Sequence, residues 1–125
     1  MYEVELQSIQ FSNGKRHRFP AEIAEALDFE DALVVRLVTS YTSLIQNIFA
    51  VDYRGNLLWT IPTPRSFFPQ NPYVSLFRQG SHVEVLSWEG HILTLDPKRG
   101  TILSEGFYAG VGGSGNRTPS VRQWI

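Results

Sequence analysis

A chain of 125 residues with a formal charge of −1 and no cysteine has the length of one domain that buries its own apolar core. The missing thiols exclude a disulfide framework and a zinc–thiolate centre and suit a reducing, cytoplasmic setting, while the near-zero charge offers no broad field for nucleic acid or an anionic membrane. The opening MYEVELQSIQ lacks the basic start and apolar centre of a secretory signal, and no stretch reaches the roughly twenty apolar residues of a membrane-spanning helix.

Tyr2 to Ser12 alternates apolar and polar residues with a phase slip at Gln7 and Ser8, which predicts one strand with a bulge. Asn13-Gly14 is a hairpin signal of the type I′ kind. The basic run Lys15 to Arg18 that follows has no interleaved aromatics and reads as a solvated hairpin strand rather than a phosphate contact. His17, flanked by cations, has no visible carboxylate to make it a base. Pro20 to Leu27 opens on a proline and carries three alanines, so a short helix or an irregular stretch is expected near residues 20–28. Ala32 to Val38 has the length and β-branched content of a buried strand. Arg36 in its middle reads either as an edge position whose head reaches water or as an anion contact. Thr39 to Gln46 is polar and predicts a connection or an edge segment.

Asn47 to Ile61 spells a complete hairpin: Ile48 to Val51 and Leu57 to Ile61 flank a loop containing Gly55, and Asp52 is read as a turn-former rather than a catalyst. A looser copy returns as Ile92 to Leu103, with Asp96 and Gly100 in the corresponding places. Spacing of some forty residues is that of one propeller blade. Ala50, Asp52, Gly55, Leu58 and Trp59 resemble the Ala-x-Asp-x-x-Gly-x-x-x-Trp signature of quinoprotein-type β-propeller repeats, one residue short. With SWEGHILTLDPKRGTIL they are also similar to a group of small bacterial proteins of uncharacterised function. The resemblance spans about residues 30 to 107 and implies hairpin-built, blade-like sheets; it carries no active site and no quinone chemistry, and a propeller of at least about four blades exceeds this chain.

Between the two hairpins, Pro62 to Pro72 holds four prolines and cannot cross the middle of a sheet. It also holds Phe67 and Phe68, which cap the core or meet a partner. Further strands are expected at Tyr73 to Phe77, His82 to Trp88 and His91 to Asp96, for eight to ten in all. Two registers fit the Trp88 turn. The one with a three-residue loop and a left-handed Gly90 gathers Val83, Val85, Leu93 and Leu95 on one face and His82, Glu84, Thr94 and Asp96 on the other, with His91 opposite the second set. His82, Glu84 and Asp96 are the weak catalytic candidates. Their plain reading is an exposed, charge-paired sheet face.

Gly110, Gly112 and Gly115 match a phosphate-cradling spacing but lack the strand before and helix after that the mechanism needs. Residues 108–125 are instead expected to be a glycine-rich linker and a tail in which Trp124 and Ile125 dock in cis or on a second copy, leaving residues 1–107 as the domain. The expectation is thus an all-β fold, mainly an antiparallel meander, blade-like or as a sandwich or barrel. No cofactor or metal is called for. The expected job is a non-enzymatic protein-binding module, with toxin neutralisation or a regulatory partnership as concrete versions. Its candidate binding residues are Phe67, Phe68, Tyr73, Trp124 and Arg36. The alternatives are a ligand-binding protein or enzyme built on His82, Glu84 and Asp96, and a self-assembling unit.

Overall fold

The computed structural model describes residues 2–38, 46–62, 73–88 and 90–107. Every regular element among them is a β-strand: β1 (Tyr2–Val4), β2 (Ser8–Phe11), β3 (Arg16–Arg18), β4 (Ile23–Asp28), β5 (Leu33–Leu37), β6 (Ile48–Val51), β7 (Leu57–Thr60), β8 (Tyr73–Gln79), β9 (His82–Ser87), β10 (His91–Leu95) and β11 (Ile102–Phe107). They form three antiparallel meanders, β1-β2-β3, β4-β5-β6-β7 and β8-β9-β10-β11.

The second sheet is the middle layer, and β5 makes it so. Leu33, Val35 and Leu37 pack with Ile9, Phe11 and Phe19 of the first sheet, while Val34 packs with Val83, Val85, Leu93 and Leu95 of the third. β6 repeats the split, with Val51 on one side and Ile48 and Ala50 on the other. A strand buried on both faces loses the polar alternation of a half-exposed one, which is why ALVVRLV reads as a continuous apolar run. Each fully buried side chain of this size contributes about 1.5–3 kcal/mol relative to exposure, so the middle sheet carries much of the stability.

Two expectations near the N-terminus need correction. The phase slip at Gln7 and Ser8 is a chain reversal: β1 folds back on β2, with Tyr2 opposite Phe11 and Val4 opposite Ile9, and Glu5 N–H bonds the Ser8 carbonyl. The helix expected near residues 20–28 is strand β4. Its Glu25 carboxylate accepts Arg36 Nε at 2.5 Å and Leu76 N–H at 3.2 Å. Those contacts to two other strands, together with the ladder to β5, outweigh an alanine-based propensity of a few tenths of a kcal/mol per residue.

Three hairpins share one construction: Gly14 N–H bonds the Phe11 carbonyl, Gly55 the Asp52 carbonyl and Gly90 the Ser87 carbonyl, each three residues back, while Gly100 N–H reaches the Asp96 carbonyl four residues back; all four glycines have positive φ. Asn13 does not join Gly14 in that region, so the turn is a tight turn closed by a left-handed glycine rather than type I′. Asp52 Oδ1 accepts the Arg54 and Asn56 N–H groups, and Asp96 Oδ1 accepts Lys98 N–H; both aspartates are turn-formers. At the Trp88 turn Gly90 has φ 92° and Val85 lies opposite Leu93, which is the three-residue register.

Candidate functional site

One end of the second and third sheets is made of turns, and a cleft of about 570 Å³ opens there. Phe29 and Glu30 line it from the β4–β5 turn, Gly80 and Ser81 from the β8–β9 turn, and Pro97 and Lys98 from the β10–β11 turn, with Asp28 and Arg78 beside them. The volume is that of a small-molecule pocket. Glu30 is the one non-glycine residue with positive φ, 69°, among the described residues; its N–H bonds Asp28 Oδ1 at 2.8 Å. The Arg78 guanidinium sits 4.2 Å from the centroid of the Phe29 ring and donates to the Asp28 carbonyl.

Asp28 joins all three sheets, because its carboxylate also accepts the hydroxyls of Tyr53 and Tyr2. Partial burial acts to raise its pKa, but the bonds from Tyr53, Glu30 N–H and Tyr2 and the charge of Arg78 win and hold it below the usual carboxylate range. Desolvation and the same carboxylate push Tyr53 well above an ordinary phenol, and Tyr2 moves the same way. A depressed carboxyl stabilises above its unfolded pKa and loses that contribution as pH falls through its folded one; a raised phenol stabilises below about pH 10 and loses it as pH rises. Tyr53→Phe is therefore expected to cost stability at neutral pH and progressively less toward both extremes. Unfolding midpoints of the two proteins across pH check this; a constant difference would contradict it.

At the opposite end of the third sheet His91 is buried at 2% exposure. Its Nε2 lies 3.1 Å from Glu105 Oε1, its ring stacks on Phe107 at 4.8 Å and its backbone N–H bonds Ser87 Oγ at 3.0 Å. With Nε2 donating to the carboxylate, Nδ1 is left as an acceptor, and it has no partner among the described residues. No serine or threonine hydroxyl among the described residues bonds an imidazole as an activated nucleophile would. Among the described residues no group of three or more His, Asp or Glu side chains is placed to hold a metal.

A third feature is apolar. β8 packs near β4 and β5, whereas Trp59 of β7 donates its indole N–H to the Pro97 carbonyl at 2.8 Å. The two end strands β7 and β11 thus share one side of the stack. Leu57 and Leu58 on the first and Ile102, Leu103 and Phe107 on the second are all exposed.

A family profile described as Domain of unknown function (DUF7957) matches residues 1–107, which span all eleven strands. The chain belongs to the DUF7957 family. Comparison with curated proteins and with solved structures finds no match.

In this DUF7957 domain the residues singled out from sequence are dispersed. His82 is exposed beside the β8–β9 turn, opposite Gln79. Glu84 is buried at 5% exposure on the outer face of the third sheet, opposite Thr94, and Asp96 is engaged in its own turn. Arg36 meets a carboxylate, but that of Glu25 in the same chain. Tyr73 is fully buried and its hydroxyl donates to the Pro62 carbonyl at 3.2 Å. Phe67, Phe68 and Trp124 lie outside the described residues. The residues that sequence reasoning passed over are Phe29, Arg78 and Lys98, which only the tertiary fold gathers. The exposed pair Ile102 and Leu103 carried a signal: two adjacent apolar residues after a turn, one of which a half-buried strand leaves outward.

Proposed function

We propose that this DUF7957 protein is a non-catalytic binding module that takes an extended segment of a partner protein along its β7 and β11 side. One observation carries the reading: both end strands on that side expose apolar side chains, with Leu57 at 49%, Leu103 at 48% and Phe107 at 57%. A strand end with solvent-facing apolar residues is a template for an added strand, in which main-chain bonds supply affinity and side-chain pockets supply choice. Of the side chains that could serve chemistry, Asp52 and Asp96 are spent in turns and Arg36 on Glu25, which favours binding over catalysis at those positions.

A Leu57→Lys, Leu103→Lys variant is the direct test. Both positions are exposed, so the unfolding midpoint is expected to stay within about 0.5 kcal/mol of the parent. Partner protein recovered on the parent, after crosslinking in the native cell, is expected to fall about tenfold or more on the variant. Equal recovery on both would overturn the proposal.

Self-assembly is a second reading, favoured by the way each meander lies face to face on the next, as successive propeller blades do. The Ala50, Asp52, Gly55 and Trp59 spelling belongs with it. Sedimentation at high concentration distinguishes the two, since a monomer leaves only the first.

A further inference from the structure

We infer that the cleft at the turn end is an anion receptor that takes a carboxylate or phosphate group on the open side of the Arg78 guanidinium, with Lys98 as the second cation. This goes beyond the edge-strand reading and involves other residues.

The guanidinium is held ready. Phe29, 7% exposed, supports it face-on at 4.2 Å, and Nη2 is fixed on the Asp28 carbonyl. Phe29 is itself pinned by its N–H on the Ala32 carbonyl and by Asp31 N–H on its own carbonyl, each 2.8 Å. Neither Nε nor Nη1 of Arg78 has a partner among the described residues. A planar fork whose orientation is already set, facing a cleft of about 570 Å³, is the arrangement that receives a two-oxygen anion with little further ordering.

Lys98 adds a charge that can be lent. Its ammonium lies 2.8 Å from Asp31 Oδ2, with the two side chains 56% and 72% exposed; so exposed a pair is weak and exchanges its partner readily. Two carboxylates also line the cleft. That of Asp28 is held ionised by Tyr2, Tyr53 and Glu30 N–H, so it opposes an incoming anion together with Glu30, while Asp31 and Asp96 offset part of the charge of Lys98. Arg36, which the sequence singled out for this chemistry, is 19% exposed and occupied by Glu25, whereas Arg78 lines the cleft.

The test is a titration of the 15N-labelled full chain with inorganic phosphate and, separately, with acetate, at ionic strength held constant with chloride. Saturable shifts are expected at Arg78 Nε–H and at the Gly80 and Ser81 amides. Saturation by phosphate alone assigns a phosphate-bearing ligand, by acetate alone a carboxylate, and by both the shared chemistry. Arg78→Gln is expected to abolish saturation. Lys98→Met, on the open surface, is expected to weaken binding about threefold, and Glu30→Asn, which removes one of the opposing charges and tolerates positive φ, to tighten it by a similar factor. Because Arg78 also braces the turn, the last two variants keep the proposal exposed if Arg78→Gln fails to fold. No saturation by either anion, or unchanged affinity in both surface variants, would overturn it.

Discussion

Replacing Asn47 by alanine is expected to remove roughly 3–5 kcal/mol of stability, the sum of two or three buried groups left unsatisfied at about 1–3 kcal/mol each. Asn47 is fully buried just before β6. Its Nδ2 donates to the carbonyls of Leu37 at 3.1 Å and Tyr73 at 2.8 Å, and its Oδ1 accepts Tyr73 N–H at 3.0 Å. The side-chain amide thus bonds both main-chain groups of Tyr73, as a neighbouring strand would, and ties the middle sheet to the first strand of the third. Asn47→Asp has the same shape and keeps the bond from Tyr73 N–H. It sets a carboxylate oxygen against two carbonyls, however, and is expected to cost at least as much as alanine. Urea unfolding midpoints measure both. Against a total of about 5–15 kcal/mol, either variant is near the edge of folding, and a loss below about 1 kcal/mol for Asn47→Ala would show that the bonds are replaced by water.

Gly100→Ala comes second in expected size. Gly100 has φ 72° in the β10–β11 turn, and a methyl group there would lie 2.6 Å from Trp59 Cγ and 2.7 Å from Cδ2. The backbone conformation alone costs a non-glycine residue about 1–2 kcal/mol, and displacing a packed indole adds about 1–3 kcal/mol. Gly80, with φ 61° and nothing within 4 Å of an added methyl, is the internal control: Gly80→Ala is expected to show only the backbone part. In a Trp59→Leu background Gly100→Ala is expected to shrink toward the Gly80 value, so that the cycle isolates the contact between the turn and β7. Equal costs for the two glycines would mean that the turn moves away from the indole. The contact bears on function as well, since Trp59 and Pro97 hold the β10–β11 turn against β7 and so place Lys98 in the cleft.

How far each element was legible depended on whether its cause was local. The turns at Gly14, Gly55, Gly90 and Gly100 were readable because a short loop needs left-handed backbone at one residue and glycine supplies it cheaply. Asp52 and Asp96 were readable as turn-formers for the same reason, their carboxylates reaching N–H groups two residues on. The register at Trp88 followed from period-two patterning, because a one-residue slip would send Val83, Val85, Leu93 and Leu95 to the wrong face. Where the local signal competed with a distant partner it misled. Residues 20–28 have helical composition but lie in the middle sheet, where β5, Arg36 and Leu76 outbid propensity. The slip at Gln7 and Ser8 was visible, yet a bulge and a reversal leave the same trace in one strand; pairing with β2 chooses between them.

By itself, then, the amino-acid order determined that the chain is all-β, where it turns, and which faces of the β9–β10 hairpin are apolar, since each is set by φ preferences and by the alternation of side chains within a few residues. Tertiary structure alone decided that three meanders stack with the second in the middle, that Asn47 acts as a piece of backbone, and that Arg78 rather than Arg36 faces a cleft. Those outcomes come from residues 11 to 51 positions apart meeting in space. No periodicity encodes them, because a guanidinium is used up or left available according to which strand the fold brings beside it.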